Sequence, residues 1–114
     1  MWIKRKVQHG TKTGRTIGFP TINLNVGDFG YNHSDGVYAC QVKIDNQIYK
    51  GGLFFGQRMH DKKQSLEIYI IGFNQQIYDR FIAFKILQRI RQPKQFDDLN
   101  KLKKQIAEDI KGIE

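Results

Sequence analysis

The sequence predicts a small, mainly β domain that ends in one helix. The strands should form an antiparallel barrel or curled sheet, with the helix on one opening or flank. Three observations predict it: alternating polar and apolar residues over 36–44, a turn signal at Asp45 and Asn46, and apolar residues at spacings of three and four near the end of the chain. We expect one domain over residues 1–114, since a chain of this size buries enough surface to fold without disulfides.

The middle of the chain has the pattern of a β-hairpin. Residues 36–44 alternate with a period of two, which is typical of a strand with one buried face. Asp45 and Asn46 both tolerate positive φ, so they suit a tight turn. Residues 48–55 are therefore predicted to be the return arm of the hairpin.

Cys40 is the only cysteine and belongs to the predicted buried face of the first hairpin strand. It alternates there with Tyr38, Val42 and Ile44. Because cysteine is among the most frequently buried residue types, we predict an inert buried thiol rather than a reactive one.

Two further strands are predicted after the hairpin. Residues 66–71 alternate, with Leu66 on one face and Glu67 on the other. Residues 80–90 are rich in Phe and Ile, which predicts a long strand, although the same apolar residues also allow a helix.

The last segment predicts an amphipathic helix. Asp97 and Asp98 suit its positive N-terminal end, and Lys111 and Gly112 suit its C-terminal end. The apolar stripe consists of Leu99, Leu102, Ile106 and Ile110.

The charge distribution predicts an anionic partner. The net charge is +8, and residues 1–27 contain five cations and no carboxylate. A nucleotide and a nucleic acid both fit this field, and so does a basic face that only keeps the protein soluble. No apolar run approaches the roughly 20 residues of a membrane span, and the residue order of a signal peptide is missing. We expect a cytoplasmic protein without a membrane partner.

The stretch HGTKTGRTIGFPTINL, residues 9–24, is the most informative segment. Gly10, Gly14 and Gly18 are spaced by four, but the interleaved β-branched residues and Pro20 argue against a helix. Glycines let backbone N–H groups approach an anion, so a phosphate cradle is possible. Glycine spacing alone is a weak signal, and the pattern is not that of a P-loop.

Thr21 and Asn23 strengthen the phosphate interpretation. They lie two positions apart, so in an extended segment their side chains project from the same side. A hydroxyl and an amide oxygen are ligands that Mg²⁺ accepts when phosphates and water complete its shell. A β-turn followed by a short strand is the other interpretation of these residues.

Motifs along nearly the whole chain match one known family in order and spacing. They are Gly10, Gly14-Arg15, Gly18-Phe19-Pro20-Thr21, Asn23-Leu24, Gly36-Val37-Tyr38, Leu66-Glu67, Tyr78, Arg91, Phe96, Leu102, Gln105-Ile106 and Asp109. With these motifs the sequence resembles the riboflavin kinase family. The resemblance implies an all-β fold, a six-stranded antiparallel Greek-key β-barrel with a C-terminal α-helix. It also implies transfer of the γ-phosphate of ATP to the ribityl 5′-hydroxyl of riboflavin, giving FMN.

The resemblance also implies roles for individual residues. Glu67 matches the catalytic base, Thr21 and Asn23 match the residues that contact Mg²⁺ and the phosphates, and Arg91 and Phe96 match flavin-binding positions. The nucleotide-binding set comprises Gly10, Lys12, Gly14, Arg15, Gly18, Pro20, Thr21 and Asn23. Taken without the family, a carboxylate such as Glu67 is more often a solvated strand residue, and Lys12 and Arg15 are equally surface cations. Arg91 is then a strand-end cation, and Phe96 a hydrophobic staple at the helix entry.

The sequence departs from the family on the flavin side. Where the family usually reads Asn-Ile-Gly-x-Arg-Pro-Thr, this chain reads Phe-Phe-Gly-Gln-Arg-Met-His over residues 54–60, and Pro93 replaces a common Glu. The chain also lacks the adenylyltransferase domain that often precedes this kinase in bacteria, so we expect its reaction to stop at FMN.

We expect a monomer whose partners are the small molecules riboflavin and ATP. Two alternatives belong to other classes: a small nucleic-acid-binding β-barrel that uses the basic charge and 14 aromatics as stacking surfaces, and a flavin- or nucleotide-binding module without catalysis. Nucleic acid explains the charge but neither Pro20-Thr21-Ile22-Asn23 nor Glu67, so we do not expect it as a partner.

Overall fold

A computed structural model describes residues 2–8, 21–57, 62–73, 75, 77–94 and 98–113. Six strands and one α-helix make up most of these residues. In chain order they are β1 (Ile3–Gln8), β2 (Ile22–Leu24), β3 (Gly36–Ile44), β4 (Gln47–Gln57), β5 (Gln64–Ile70), β6 (Phe81–Arg91) and α1 (Leu99–Ile113), with a short 3-10 helix at Phe29–Tyr31 between β2 and β3.

The strands close into one antiparallel barrel in the order β1-β2-β5-β4-β3-β6. Strands β3, β4 and β5 are neighbours in sequence and in space, and β6 returns to lie beside β3. Three sequential strands with the fourth returning beside the first form a Greek key. The predicted six-stranded Greek-key barrel with a C-terminal helix is therefore confirmed.

The hairpin signal in the sequence corresponds to β3 and β4. Asp45 and Asn46 adopt φ values of 50° and 67°, as a tight turn between antiparallel strands requires. The return arm is longer than predicted, running over Gln47–Gln57. The segment predicted over 66–71 is β5, which begins at Gln64 and ends at Ile70.

The ambiguous Phe- and Ile-rich segment is a strand, β6, and not a helix. Its residues pair with β1 on one side and β3 on the other, so barrel closure rather than local propensity decides its conformation. Strand β1 has no clear period-two pattern in the sequence and is not among the predicted strands. Ile3 and Val7 lie on the same face, but the three consecutive cations Lys4, Arg5 and Lys6 between them hide the alternation.

The barrel interior is apolar and closely packed. Its fully buried side chains are Val7, Cys40, Val42, Leu53, Leu66, Ile68 and Phe84. Phe29 of the 3-10 helix joins this core, with its ring stacked on His33 at 4.1 Å and edge-on to Phe55 at 4.9 Å. The prediction that the Cys40 thiol is buried is confirmed. This burial raises the pKa of Cys40 to about 12 by desolvation.

Helix α1 packs on the flank of the barrel, against the outer surface of β4. A Cβ added to Gly52 would lie 3.2 Å from Cδ1 of Ile113, so glycine at this position lets the helix come close to the strand. The backbone N–H of Lys101 donates to Asp98 Oδ1 at 2.8 Å and caps the first turn. No helix among the described residues is long and apolar enough to cross a membrane.

Candidate active site

A row of paired residues crosses five adjacent strands on the outer face of the barrel. Asn23 of β2 pairs with Glu67 of β5, and Glu67 pairs with Phe54 of β4. Phe54 pairs with Val37 of β3, and Val37 pairs with Arg91 of β6. We call these five residues the transverse row. Because neighbouring positions along each strand point to opposite faces, the row lies outside the apolar core.

Both carboxylate oxygens of Glu67 accept hydrogen bonds from hydroxyl groups. Thr21 Oγ1 donates to Oε1 at 2.8 Å, and Ser65 Oγ donates to Oε2 at 2.9 Å. Ser65 is two positions before Glu67 on β5, so the strand period places both on the same face. The two bonds hold the carboxylate in one orientation, with further lone pairs available on each oxygen.

Thr21, Asn23 and Glu67 place three oxygen-bearing side chains together. Asn23 lies directly opposite Glu67 and is 9% exposed, while Thr21 reaches Glu67 from the residue before β2. Since Thr21 uses its hydroxyl hydrogen on Glu67, its oxygen presents lone pairs to any further partner. Lone pairs suit a cation and cannot donate to a phosphate oxygen, so the Thr21 oxygen fits a Mg²⁺ ligand, and the amide oxygen of Asn23 is a second candidate.

Glu67 is the only carboxylate on the six described strands. The same strands contain eight lysines and arginines, at positions 4, 5, 6, 43, 50, 85, 89 and 91. An ionised carboxylate can serve as a proton acceptor, and the excess of cations on the strands gives the barrel a field that attracts anions. This arrangement fits a site where a negatively charged molecule meets a proton donor.

A family model described as riboflavin kinase and named Flavokinase matches residues 1–114. The chain belongs to the flavokinase family.

Two curated proteins illustrate the relationship of this flavokinase chain to its relatives. The bifunctional riboflavin kinase/FMN adenylyltransferase of Bacillus subtilis is 34% identical over 113 residues, which cover 95% of this chain and 36% of that protein. The RNA-binding riboflavin kinase RibR of the same organism is 34% identical over 114 residues, covering 97% of this chain and 49% of the relative. The chain thus spans between about a third and a half of their lengths.

Two solved structures share the flavokinase barrel. One, described as a macrolide-efflux protein from Streptococcus pneumoniae, superposes with a TM-score of 0.84 at 36% identity and covers 96% of this chain and 37% of that one. The riboflavin kinase from Trypanosoma brucei superposes with a TM-score of 0.65 at 21% identity, covering 98% and 76%. At 21% identity, the similarity to the Trypanosoma brucei structure shows the fold alone.

Arg91, predicted as a flavin-binding residue, lies at the far end of the transverse row and is bonded to the helix. Its Nε and Nη2 donate to Asp109 Oδ1 and Oδ2 at 3.0 and 2.9 Å, and its Nη1 donates to the carbonyl of Gln92. Gln105 also donates to Asp109, at 3.0 Å. Arg91 therefore fastens α1 to β6, and its role toward flavin stays a prediction.

The remaining predicted site residues lie outside the described residues. They are Gly10, Lys12, Gly14, Arg15, Gly18 and Pro20 of the glycine-rich segment, together with Phe96. Of the predicted flavokinase residues that are described, Thr21, Asn23 and Glu67 lie together, and Arg91 stands apart beyond Phe54 and Val37.

Sequence reasoning missed two neighbours of Glu67. Ser65 could have been found, because it is two positions away on a strand of period two. The adjacency of Phe54 depends on the register between β4 and β5, and no local signal in the sequence gives that register.

Proposed function

We propose that this flavokinase transfers the γ-phosphate of ATP to the ribityl 5′-hydroxyl of riboflavin and releases FMN and ADP. The observation that carries the proposal is the hydrogen-bonded cluster of Thr21, Glu67 and Ser65 beside Asn23, in a chain of this family. Phosphoryl transfer asks a protein mainly for positioning, charge stabilisation and a group that orients the attacking hydroxyl.

Glu67 is the proposed general base. During transfer the 5′-oxygen forms a bond to the γ-phosphorus, the bond from that phosphorus to the bridging oxygen of ADP breaks, and the hydroxyl proton passes to the Glu67 carboxylate. The hydrogen bonds from Thr21 and Ser65 fix which lone pairs of Glu67 face the acceptor. General-base assistance of this kind is typically worth about 10²- to 10⁴-fold in rate.

Thr21 and Asn23 are the proposed ligands of Mg²⁺. The ion supplies neutralisation of phosphate charge when it is bound. Thr21 offers the lone pairs left after its bond to Glu67, and Asn23 offers an amide oxygen from the same face of β2. The glycine-rich segment, with Lys12 and Arg15, remains the proposed binding element for the nucleotide, in a protein that we expect to be a cytoplasmic monomer.

Incubation with riboflavin and Mg-ATP, followed by chromatography of the flavins, tests the proposal. We expect FMN and ADP to accumulate in equal amounts, and neither to form when ATP or the protein is omitted. Riboflavin that binds but is recovered unchanged would indicate the non-catalytic binding module instead.

Nucleic-acid binding is the second candidate function. Lys4 and Lys6 of β1 and Lys43 of β3 are exposed on the two strands that flank β6. The exposed ring of Phe81 lies beside Lys4, whose ammonium is 5.2 Å from the ring centroid. The relative RibR is described as RNA-binding, and this chain matches 49% of it. Anisotropy of a labelled single-stranded RNA, titrated at several salt concentrations, tests this candidate, because phosphate contacts weaken steeply with salt.

A further inference from the structure

Phe54 places an apolar ring immediately beside the proposed base. It is the cross-strand partner of Glu67 on the outer face and is half-buried. Its ring folds over Gly56, where an added Cβ would lie 3.0 Å from the ring Cζ. Gly56 in turn pairs with Ser65, the hydroxyl donor to Glu67. The ring therefore lies on the β4 side of Glu67, away from β2.

The geometry of phosphoryl transfer decides which substrate faces this ring. The attacking and leaving oxygens lie roughly in line through the phosphorus, so the carbon chain of the acceptor points away from the phosphate donor. Under the proposed function the phosphates lie toward Thr21 and Asn23 on β2. The acceptor then leaves Glu67 in the opposite direction, across Phe54 on β4.

The described row offers little hydrogen bonding along that path. Phe54 is apolar and half-buried, and the next residue of the row, Val37, is apolar and only 7% exposed, so it offers no polar group either. At the end of the row, Arg91 lies three strands away from Glu67, and three of its five N–H groups donate to Asp109 or Gln92. An acceptor that crosses this surface contacts carbon rather than polar atoms next to its reacting hydroxyl.

We propose that Phe54 is a specificity-determining residue of the acceptor site. Because of this residue, the protein selects its flavin by apolar contact and not by recognition of the inner hydroxyls of the ribityl chain. The inference rests on the proposed function. It predicts that a flavin whose N10 side chain is 5-hydroxypentyl, with the terminal hydroxyl but none of the inner ones, is an acceptor comparable to riboflavin. A site built to hydrogen-bond a substrate hydroxyl would instead reject such an analogue by about 10⁴-fold or more.

The test compares the two flavins in the parent, in Phe54→Asn and in Phe54→Leu. We expect the parent to prefer riboflavin by less than about tenfold in kcat/KM. Phe54→Asn, which supplies an amide at this position, should raise that preference at least about tenfold, with the KM for ATP unchanged. Phe54→Leu keeps an apolar side chain and should retain the parent ratio. A parent preference above about 100-fold overturns the inference even if Phe54→Asn does not fold.

Flavin binding is also measured without ATP, with the change in flavin fluorescence as the signal. This measurement separates the inference from the proposed function. If neither flavin is phosphorylated but Phe54→Asn still shifts binding toward riboflavin, the kinase proposal fails and the role of Phe54 stands. If riboflavin is phosphorylated and the ratio is the same in Phe54→Asn as in the parent, the role of Phe54 fails and the kinase proposal stands. Absence of both binding and turnover overturns both.

Discussion

Thr21 Oγ1 lies 2.8 Å from Glu67 Oε1, so the residue proposed to bind metal and the residue proposed as base are in direct contact. The same hydroxyl orients the base and offers its remaining lone pairs to the cation. Loss of this group should therefore affect the use of Mg²⁺ and the chemical step together, and the two effects should not be separable by substitution at Thr21 alone.

Removal of the Thr21 hydroxyl should lower turnover at least about tenfold, because a hydrogen bond to a charged group is typically worth about 1.5–3 kcal/mol. We expect Thr21→Ala to show this loss in initial rates of FMN formation and to require more Mg²⁺ for half-maximal rate. Thr21→Ser keeps the hydroxyl and is the matched control. Asn23→Ala should show a similar loss. Near-parent rates in both alanine variants would remove the metal assignment.

Glu67→Gln should abolish most of the turnover while substrates still bind. The amide keeps one acceptor oxygen, and the hydroxyl that faces its NH₂ group can rotate to accept. We expect kcat to fall by about 10²- to 10⁴-fold, with riboflavin and nucleotide affinities within a few-fold of the parent. Single-turnover kinetics and equilibrium titrations measure the two quantities. A variant as fast as the parent would leave Glu67 as a solvated strand residue.

Ser65 should act as a positioning residue for Glu67. Ser65→Ala removes the 2.9 Å bond to Oε2 from a side chain that is 7% exposed. We expect kcat to drop by about three- to tenfold with little change in either KM, because the lost bond orients the base rather than the substrate. Ser65→Thr restores a hydroxyl and should recover part of the rate. Equal losses in Ser65→Ala and Ser65→Thr would point to packing instead.

Asp109→Asn should destabilise the protein by about 2–3 kcal/mol, because the largely buried Arg91 guanidinium loses its charged partner. The side chains are 21% and 10% exposed for Arg91 and Asp109. Urea unfolding followed by circular dichroism gives the free energy. Asp45→Asn is the matched control, since Asp45 pairs with Arg80 at 67% exposure and should cost less than about 1 kcal/mol. Equal costs at the two sites would show that α1 is not held by this pair.

The Cys40 thiol should resist modification in the folded protein. Burial raises its pKa from 9.0 to about 12, so the thiolate is scarce at pH 8. We expect Ellman's reagent to react at the rate of global unfolding, and at once in denaturant. The neutral thiol contributes stability fully below about pH 9 and loses it as the pH rises toward 12. Cys40→Ala should accordingly lose less stability than the parent over that interval.

Local signals account for the parts of the fold that the sequence predicts correctly. The alternation in β3, the positive-φ pair Asp45 and Asn46, and the apolar spacing of α1 are each encoded within a few consecutive residues. The Thr21 and Asn23 assignments rest on their two-residue spacing as well as on the match to family motifs, whereas the Glu67 assignment rests on the match alone. The barrel brings these three residues together.

The parts that could not be predicted depend on pairing between distant segments. Phe54 lies beside Glu67 only because β4 and β5 adopt one register, and a shift of one residue would turn Phe54 toward the core. Arg91 looked equally like a flavin contact or a strand-end cation, since its partner Asp109 belongs to a helix whose docking no local pattern specifies.

The transverse row also ties the site to the folding of the whole domain. Its residues come from five strands that together extend from β2 to β6, so no short fragment of the barrel contains the whole row. The row is complete only when the non-local pairings β2–β5 and β3–β6 have formed, and such pairings are slow to form. A molecule seated across the row binds the closed barrel alone. Binding of such a molecule should therefore slow amide hydrogen exchange in all five strands together. The gain in the free energy of unfolding calculated from exchange should equal the gain calculated from the shift in the thermal midpoint.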